Sequence, residues 1–245
     1  MTAPRTATLP RPRDADAFHR SERARRRIAG TGHALVCAVA LAGVVIDLAA
    51  GAPLRTLTHF TVLTNLLAAG VFGRQAHRCL RGGKPLPPVL TGGALLFVMS
   101  AGLGYHLAQT GTAPDSPGPR VAADLLLYTA APLAVTADWL LLTPPRTLRL
   151  RFLPLWLLYP AAYLTYVLIR GYLLPDGSPD RYAYAFLDVD TYGYPDVLAH
   201  ALVLGLLCTL FATLLIGLDH LRPRPMGRRR PRRKRISPPG IGGLK

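Results

Sequence analysis

Long apolar stretches alternate along the chain with short polar, Pro- or Arg-rich ones. The apolar stretches recur six times, at residues 30–50, 57–72, 86–107, 121–142, 152–170 and 195–218. A helix that crosses a bilayer needs roughly 20 mainly apolar residues. The pattern therefore predicts an all-α, polytopic membrane protein built as a bundle of six transmembrane helices. The second stretch is the exception in character, being short and polar. Its core, Leu57-Thr58-His59-Phe60-Thr61-Val62-Leu63-Thr64-Asn65-Leu66-Leu67, holds three Thr, a His and an Asn. Polar side chains in an apolar run are costly unless they find partners, so this stretch is the first place to look for chemistry. The fifth stretch contains Pro160, which a spanning helix tolerates, with a kink, when its neighbours satisfy the freed carbonyl.

Charge settles the reading of the second stretch. The chain has 245 residues, 50% of them hydrophobic and only 17% charged, yet its formal net charge is +16. Four segments hold 25 of the 29 basic residues. They are the N-terminal tail, the loop with Arg74, Arg78, Arg81 and Lys84, the loop with Arg146, Arg149 and Arg151, and the C-terminal tail from Arg222 onward. Six spans put all four on one side, and the positive-inside rule then places both termini in the cytoplasm. Five spans would scatter the basic loops over both faces. The remaining loops carry Arg55, Arg120 and Arg181 against Asp115, Asp176, Asp180, Asp188 and Asp190.

This divides the chain into a disordered basic cytoplasmic tail (1–29), a six-helix transmembrane domain (30–220) and a second disordered basic tail (221–245). The first 27 residues hold eight Arg, three acidic residues and no apolar core, so no signal peptide of the usual form is expected. The run Arg228-Arg229-Arg230-Pro231-Arg232-Arg233-Lys234-Arg235 reads as a topology signal and a partner for anionic lipid headgroups. Nucleic acid is not expected as a partner, since no aromatic interleaving accompanies the charge. The loop 109–120 is Gly- and Pro-rich and reads as irregular. The loop 171–194, with Tyr172, Tyr182, Tyr184, Phe186, Tyr192 and Tyr194, reads as an interfacial segment at headgroup level. Cys37, Cys79 and Cys208 are too scattered for a disulfide framework or a metal site. No metal and no cofactor is expected. The chain has no internal repeat.

Ionisable groups within spans are functional candidates by default. Counting residues from the span ends, most of them collect in the outer third: Asp47, Tyr105, His106, Asp124, Tyr128, Arg170 and His200, together with Thr61. Asp138 and Asp219 fall at inner ends, within reach of the basic loops. Thr58, Thr61 and Asn65 follow helical spacing and are expected on one face of the second span. Asp124 and Tyr128 likewise share a face of the fourth. These faces should turn inward, because lipid offers no hydrogen-bond partner. The expectation is an outward-opening polar pocket lined by spans one, two, four and six, with Thr58, Asn65, Asp47, Asp124, Tyr128 and His106 as binding residues. The same residues have plainer readings, Thr and Asn as helix–helix glue and Asp47, Asp124 and Arg170 as interfacial charges or an ion pair.

Four stretches carry a resemblance: Phe60-Thr61-Val62-Leu63-Thr64-Asn65; Pro132 through Asp138-Trp139-Leu140-Leu141; Trp156-Leu157-Leu158-Tyr159-Pro160; and Phe186-Leu187-Asp188-Val189-Asp190 with Tyr192-Gly193-Tyr194. Over about residues 33 to 220 the chain resembles the bacterial, mainly actinobacterial, six-span Pr-six-Pr membrane proteins, and more distantly the androgen-induced membrane proteins of animals. The resemblance implies a multi-pass protein of the bacterial plasma membrane. The animal proteins are described as intramembrane hydrolases of fatty-acid esters of hydroxy fatty acids that use a Thr nucleophile with a His. By resemblance the nucleophile falls at or near Thr61. The His, expected in a pattern Asp-x-Leu-Leu-His ahead of a Pro, falls at Tyr128 in Asp124-Leu125-Leu126-Leu127-Tyr128. A Thr hydroxyl needs an adjacent base, and a Tyr with an ordinary pKa near 10 is a poor one. His200, at a suitable depth, is then the expected base, ahead of His59. Three functions follow from this reading. The first is an integral membrane protein holding a lipid or amphipathic ligand in the outer pocket. The second is a Thr-dependent lipid esterase with Thr61 as nucleophile and His200 as base. The third, a transporter, is disfavoured by the absence of repeats and of a charged relay at mid-membrane.

Overall fold

The computed structural model describes residues 12–50, 53–108, 118–175, 178 and 181–223. Every element among them is helical. In chain order they are α1 (Pro12–Ala50), a single turn α2 (Pro53–Thr56), α3 (Phe60–Leu80), α4 (Pro88–Ala108), α5 (Pro119–Asp124), α6 (Ala131–Leu141), α7 (Leu153–Leu173) and α8 (Val189–Leu221). A π-helical segment, Leu125–Ala130, joins α5 to α6 without a break. Five helical stretches are long and apolar enough to cross a membrane: those centred on α1, α4, α5–α6, α7 and α8. Large apolar side chains cover their outward faces, among them Leu202, Leu206, Leu210 and Leu214 of α8, as helices bordering lipid require.

The boundaries differ from the sequence expectation in informative places. Residues 12–29, expected as irregular tail, continue α1 as helix. They are rich in Ala and Arg, which extend a preformed helix readily. α3 begins at Phe60 rather than at 57 and runs to Leu80, so Arg74 and Arg78 are helical rather than in a loop. Thr58 and His59 lie in the turn before α3, and Thr58 therefore does not share a helical face with Thr61 and Asn65. α7 passes through Pro160 as one helix. α8 starts at Val189, with Gly193 at φ 75° and ψ 163° breaking its first turn from the rest. Residues 1–11 and 224–245 of the tails, Asp115, Asp176, Asp180 and most of the loop 109–120 lie outside the described residues.

α1 and α3 form a close antiparallel hairpin; α4 packs on α3, and the α5–α6 helix packs on α1 and α4. One continuous core joins Val36, Ala68, Phe72, Leu95, Leu96, Phe97, Val135, Trp139, Trp156, Leu215 and Ile216, side chains drawn from α1, α3, α4, α6, α7 and α8. The end of the bundle where α6 and α8 finish is tied by a buried carboxylate. Asp219 accepts hydrogen bonds from Trp139 Nε1 (3.2 Å), the backbone N–H of Thr147 (2.7 Å) and of Leu148 (2.9 Å), and Arg222 (3.1 Å). Arg222 also donates to the carbonyls of Leu140 and Thr143 and lies over the Trp139 ring. So Asp219 reaches the neighbouring basic loop as its position predicts, and a charge buried this deeply is tolerated because it is fully hydrogen-bonded. At the same end Arg26 of α1 donates to the Gly82 carbonyl just past α3.

The π-helical segment has a local cause. Pro132 lacks an N–H, so the carbonyl of Tyr128 cannot find its usual partner four residues on. The ladder widens instead, and the Ala131 N–H bonds the Leu126 carbonyl, five residues back. The bulged backbone leans onto α4 at Gly102, where a Cβ would stand 2.7 Å from the Tyr128 carbonyl oxygen and 2.6 Å from Pro132 Cγ. Only glycine permits that approach. Gly104, two residues on, has open space around it. We expect Gly102→Ala to lower stability by about 1–3 kcal/mol through overpacking against backbone. Gly104→Ala should be neutral or raise it by roughly 0.5–1 kcal/mol through helix propensity. Thermal melts of the detergent-solubilised variants distinguish the two.

Candidate functional site

The polar residues of α3 are sealed. Thr61 is 3% exposed, and Thr64 and Asn65 are completely buried. Each finds protein partners. Asn65 donates through Nδ2 to the Thr61 carbonyl (2.9 Å), one turn back. Its Oδ1 is buried with no hydrogen-bond partner. The Thr64 hydroxyl meets the Tyr159 phenol of α7 at 3.3 Å. In the turn before α3, the Thr58 hydroxyl donates to the Arg55 carbonyl (2.6 Å), and the Thr58 carbonyl accepts from Tyr163 of α7 (2.9 Å). Thr58 and Asn65 are thus bound into helix–helix and turn contacts.

Thr61 is differently placed. Its hydroxyl faces two phenols from distant parts of the chain, Tyr128 in the π-helical segment and Tyr184 in the connection between α7 and α8. Tyr128 stacks on Tyr105 of α4, with ring centroids 3.9 Å apart and planes 10° from parallel. π-helical turns are rare and recur at functional sites, and here one carries the side chain opposite Thr61. Tyr184 also reaches the start of α3, where its phenol oxygen faces the backbone N–H groups of Phe60 and Thr61. The first N–H groups of a helix have no partner inside it, and His59, the capping residue, makes no side-chain cap. Tyr184 lies at this end with its ring edge-on to His59 at 5.8 Å, and Tyr163 of α7 also reaches the Phe60 backbone. Burial pushes the Tyr184 phenol above the usual tyrosine range, so it remains a neutral hydroxyl.

Around this pair lie the outer ionisable groups. Asp47 of α1 and Asp124 of α5 are close enough to act on each other electrostatically, with Arg120 near both and His59 near Asp47. Asp124 interacts with the Tyr105 phenol. The structure therefore brings together Asp47, Thr61, Asp124 and Tyr128 of the expected site and adds Tyr105, Arg120 and Tyr184. His106 is exposed and bonds the Thr129 hydroxyl at 3.1 Å. These residues come from α1, α3, α4, α5 with the π-helical segment, and the α7–α8 connection; among them none comes from α8.

His200 is elsewhere. Its Nδ1 lies 3.1 Å from the Phe186 carbonyl and its ring meets Tyr192 edge-on, and among the described residues no hydrogen bond joins it to Thr61. The depth argument put it at the right level but could not give its azimuth on α8. His59 bonds the Arg55 carbonyl at 3.1 Å and packs its ring edge against Tyr184. Neither imidazole is engaged with the Thr61 hydroxyl. Arg170, expected at an interface, donates to the Arg181 carbonyl at 2.8 Å. No group of three or more potential metal ligands occurs among the described residues.

Tyr184 escaped the sequence reading, which took its aromatic-rich loop to lie flat at the headgroups. A second omission is His33. Asp138, expected to reach a basic loop, instead accepts a 2.6 Å hydrogen bond from His33 Nδ1, and both side chains are buried. The pair joins α1 to α6 near the end of the bundle where α6 and α8 finish, beside a water-sized cavity of about 10 Å³ lined in part by Thr91, Asp138 and Thr143. His33 is three residues into the first apolar stretch and Asp138 three from the end of α6, positions the sequence carries and a pairing only the packing reveals. No family model, curated protein or solved structure matches the chain. Removing one member of a buried polar pair strands the other. His33→Ala should therefore cost about 3–5 kcal/mol, and the double variant His33→Leu/Asp138→Leu less than the sum of its single changes, read as a double-mutant cycle on detergent-solubilised protein.

Proposed function

We propose that the chain is a six-span protein of a bacterial plasma membrane, with both termini cytoplasmic, that holds a lipid or other amphipathic molecule at its outer polar site around Thr61. Support for the sixth span comes from α3, whose 21 residues measure roughly 30 Å at the rise of an α-helix. Its low hydropathy comes from a polar face that is buried, not exposed to lipid. Support for the orientation comes from charge: Arg146 and Arg222 bond at the Asp219 tie and Arg26 bonds Gly82 just past α3, while Asp47 and Asp124 act on each other elsewhere in the bundle. The resemblance to the Pr-six-Pr proteins agrees with both.

The observation that carries the binding reading is the meeting of Thr61, Tyr128 and Tyr184 at the start of α3, beside the facing carboxylates of Asp47 and Asp124. Hydroxyls, backbone N–H groups and charges at one end of an otherwise apolar bundle fit the polar head of an amphiphile, whose chain would lie among apolar helices. A second reading, a Thr-dependent hydrolase of fatty-acid esters, is favoured by one finding. The position that the resemblance assigns to the His, Tyr128, is the one that faces Thr61. The base is what it lacks, since a phenol takes up no proton at neutral pH.

Purified protein should bind a fluorescent fatty-acid ester without cleaving it. Thr61→Val, which keeps the shape and removes the hydroxyl, should weaken binding about five- to tenfold, as loss of one hydrogen bond does. His200→Ala should bind as the parent does. Unchanged binding in Thr61→Val rules out the site as drawn. Ester turnover in the parent that disappears in Thr61→Ala moves the conclusion to the hydrolase.

A further inference from the structure

Asp138 and Asp219 are buried carboxylates near the ends of α6 and α8, and they are served unequally. Four donors reach Asp219: Trp139 Nε1, the N–H groups of Thr147 and Leu148, and Arg222. Among the described residues the Asp138 carboxylate has one, His33 Nδ1 at 2.6 Å on Oδ1. Its side chain is 3% exposed, so bulk solvent does not make up the difference. A carboxylate offers about four acceptor positions on its two oxygens, and burying one with acceptors left over is costly in apolar surroundings. Buried polar groups short of protein partners are commonly completed by an ordered water.

The cavity beside Asp138 has the size and the lining for that water. Its volume of about 10 Å³ is close to the space that one water molecule needs. An apolar cavity of this size stays dry, whereas two to four polar partners in the wall hold a water. Here the wall includes the Asp138 carboxylate and two threonines, Thr91 of α4 and Thr143 just past α6. The Thr91 hydroxyl donates to the Pro88 carbonyl at 3.4 Å, longer than an ordinary O–H···O bond, so a closer acceptor competes for it readily. Trp139 and Leu148 line the same cavity, and both are donors to Asp219. The cavity therefore touches the surroundings of both carboxylates.

We propose that this cavity is a binding site for one ordered water, which donates to the Asp138 carboxylate and accepts from the Thr91 hydroxyl, with Thr143 as a further partner. The water gives Asp138 its second hydrogen bond. It also joins α4 to α6, which His33 already ties to α1. Through Thr143, whose carbonyl accepts from Arg222, it reaches the Asp219 tie. The two buried carboxylates then belong to one polar network across α1, α4, α6 and α8. A bridge of this kind is nearly as favourable as a direct hydrogen bond.

Hydroxyl-radical labelling of the full chain in lipid nanodiscs tests the site, because radicals made from a buried water modify the side chains around it. Phe72 lines the cavity and is 2% exposed; Phe97 is 4% exposed and does not line it. Access from bulk solvent ranks Phe97 ahead of Phe72, and a water in the cavity reverses that order. Leu95 and Leu96 of α4, each 1% exposed, form a second pair, of which Leu95 lines the cavity. Phe72 and Leu95 should be the faster in each pair. Thr91→Val keeps the shape of the side chain and removes the hydroxyl, so the lead of Phe72 over Phe97 should be lost. Thr91→Ser, which keeps the hydroxyl, should preserve it. Phe97 level with or faster than Phe72 in the parent protein overturns the water site. A Phe72 lead that is unchanged in Thr91→Val overturns Thr91 as the partner of the water.

Discussion

The fold depends on one requirement, that the polar face of α3 be met by protein groups. In a hydrocarbon surrounding, an unpaired hydroxyl or amide costs several kcal/mol, and no water is available to relieve it. α3 carries Thr61, Thr64 and Asn65 on one helix, all buried. α1 and α4 pack along α3, and of these groups the Asn65 Oδ1 stays buried without a hydrogen-bond partner. Tyr159 of α7 meets Thr64, Asn65 turns back onto its own helix, and Tyr128 and Tyr184 meet Thr61. The most apolar helices then take the positions bordering lipid, where their leucines are exposed.

The two ends of the bundle meet the same requirement in different ways. At the end where α6 and α8 finish, the solution is redundant. Asp219 is bound by four donors, Arg222 makes contacts with α6 and the following loop, and His33 pairs with Asp138. Such a network holds the helices in one arrangement, because breaking any single bond leaves a buried charge or carbonyl exposed to an apolar surrounding. At the other end the start of α3 meets aromatic side chains of α7 and of the α7–α8 connection, with Tyr163 on the Thr58 carbonyl and Tyr184 edge-on to His59.

The second apolar stretch, the shortest, shows how far pattern reading reaches. Hydropathy alone leaves residues 57–72 doubtful as a span, and five helices meet a length-and-apolarity criterion without them. Charge distribution retains the stretch, and the folded chain has a 21-residue helix there. The error was in its first turn. Helical spacing grouped Thr58 with Thr61 and Asn65, whereas Pro53 starts a separate turn, α2, and Thr58 closes it by bonding Arg55. Local hydrogen bonding by a Thr side chain competes with helix formation, and spacing does not register that competition.

What the sequence determined by itself is the class of protein: helices of spanning length, the order in which they occur, the clustering of basic residues, and the gathering of Asp47, Thr61, Asp124 and Tyr128 at one level. These follow from composition and from rise per residue, which are local properties. What only the tertiary structure decided is who faces whom. Depth brought His200 to the level of Thr61, but its position around α8 turned it toward Phe186. The widened turn before Pro132 set the direction of Tyr128, and a connection that looked interfacial delivered Tyr184 to the start of α3. Contacts of this kind join residues tens to more than a hundred positions apart, and they are fixed by packing around α3 rather than by any pattern along the chain.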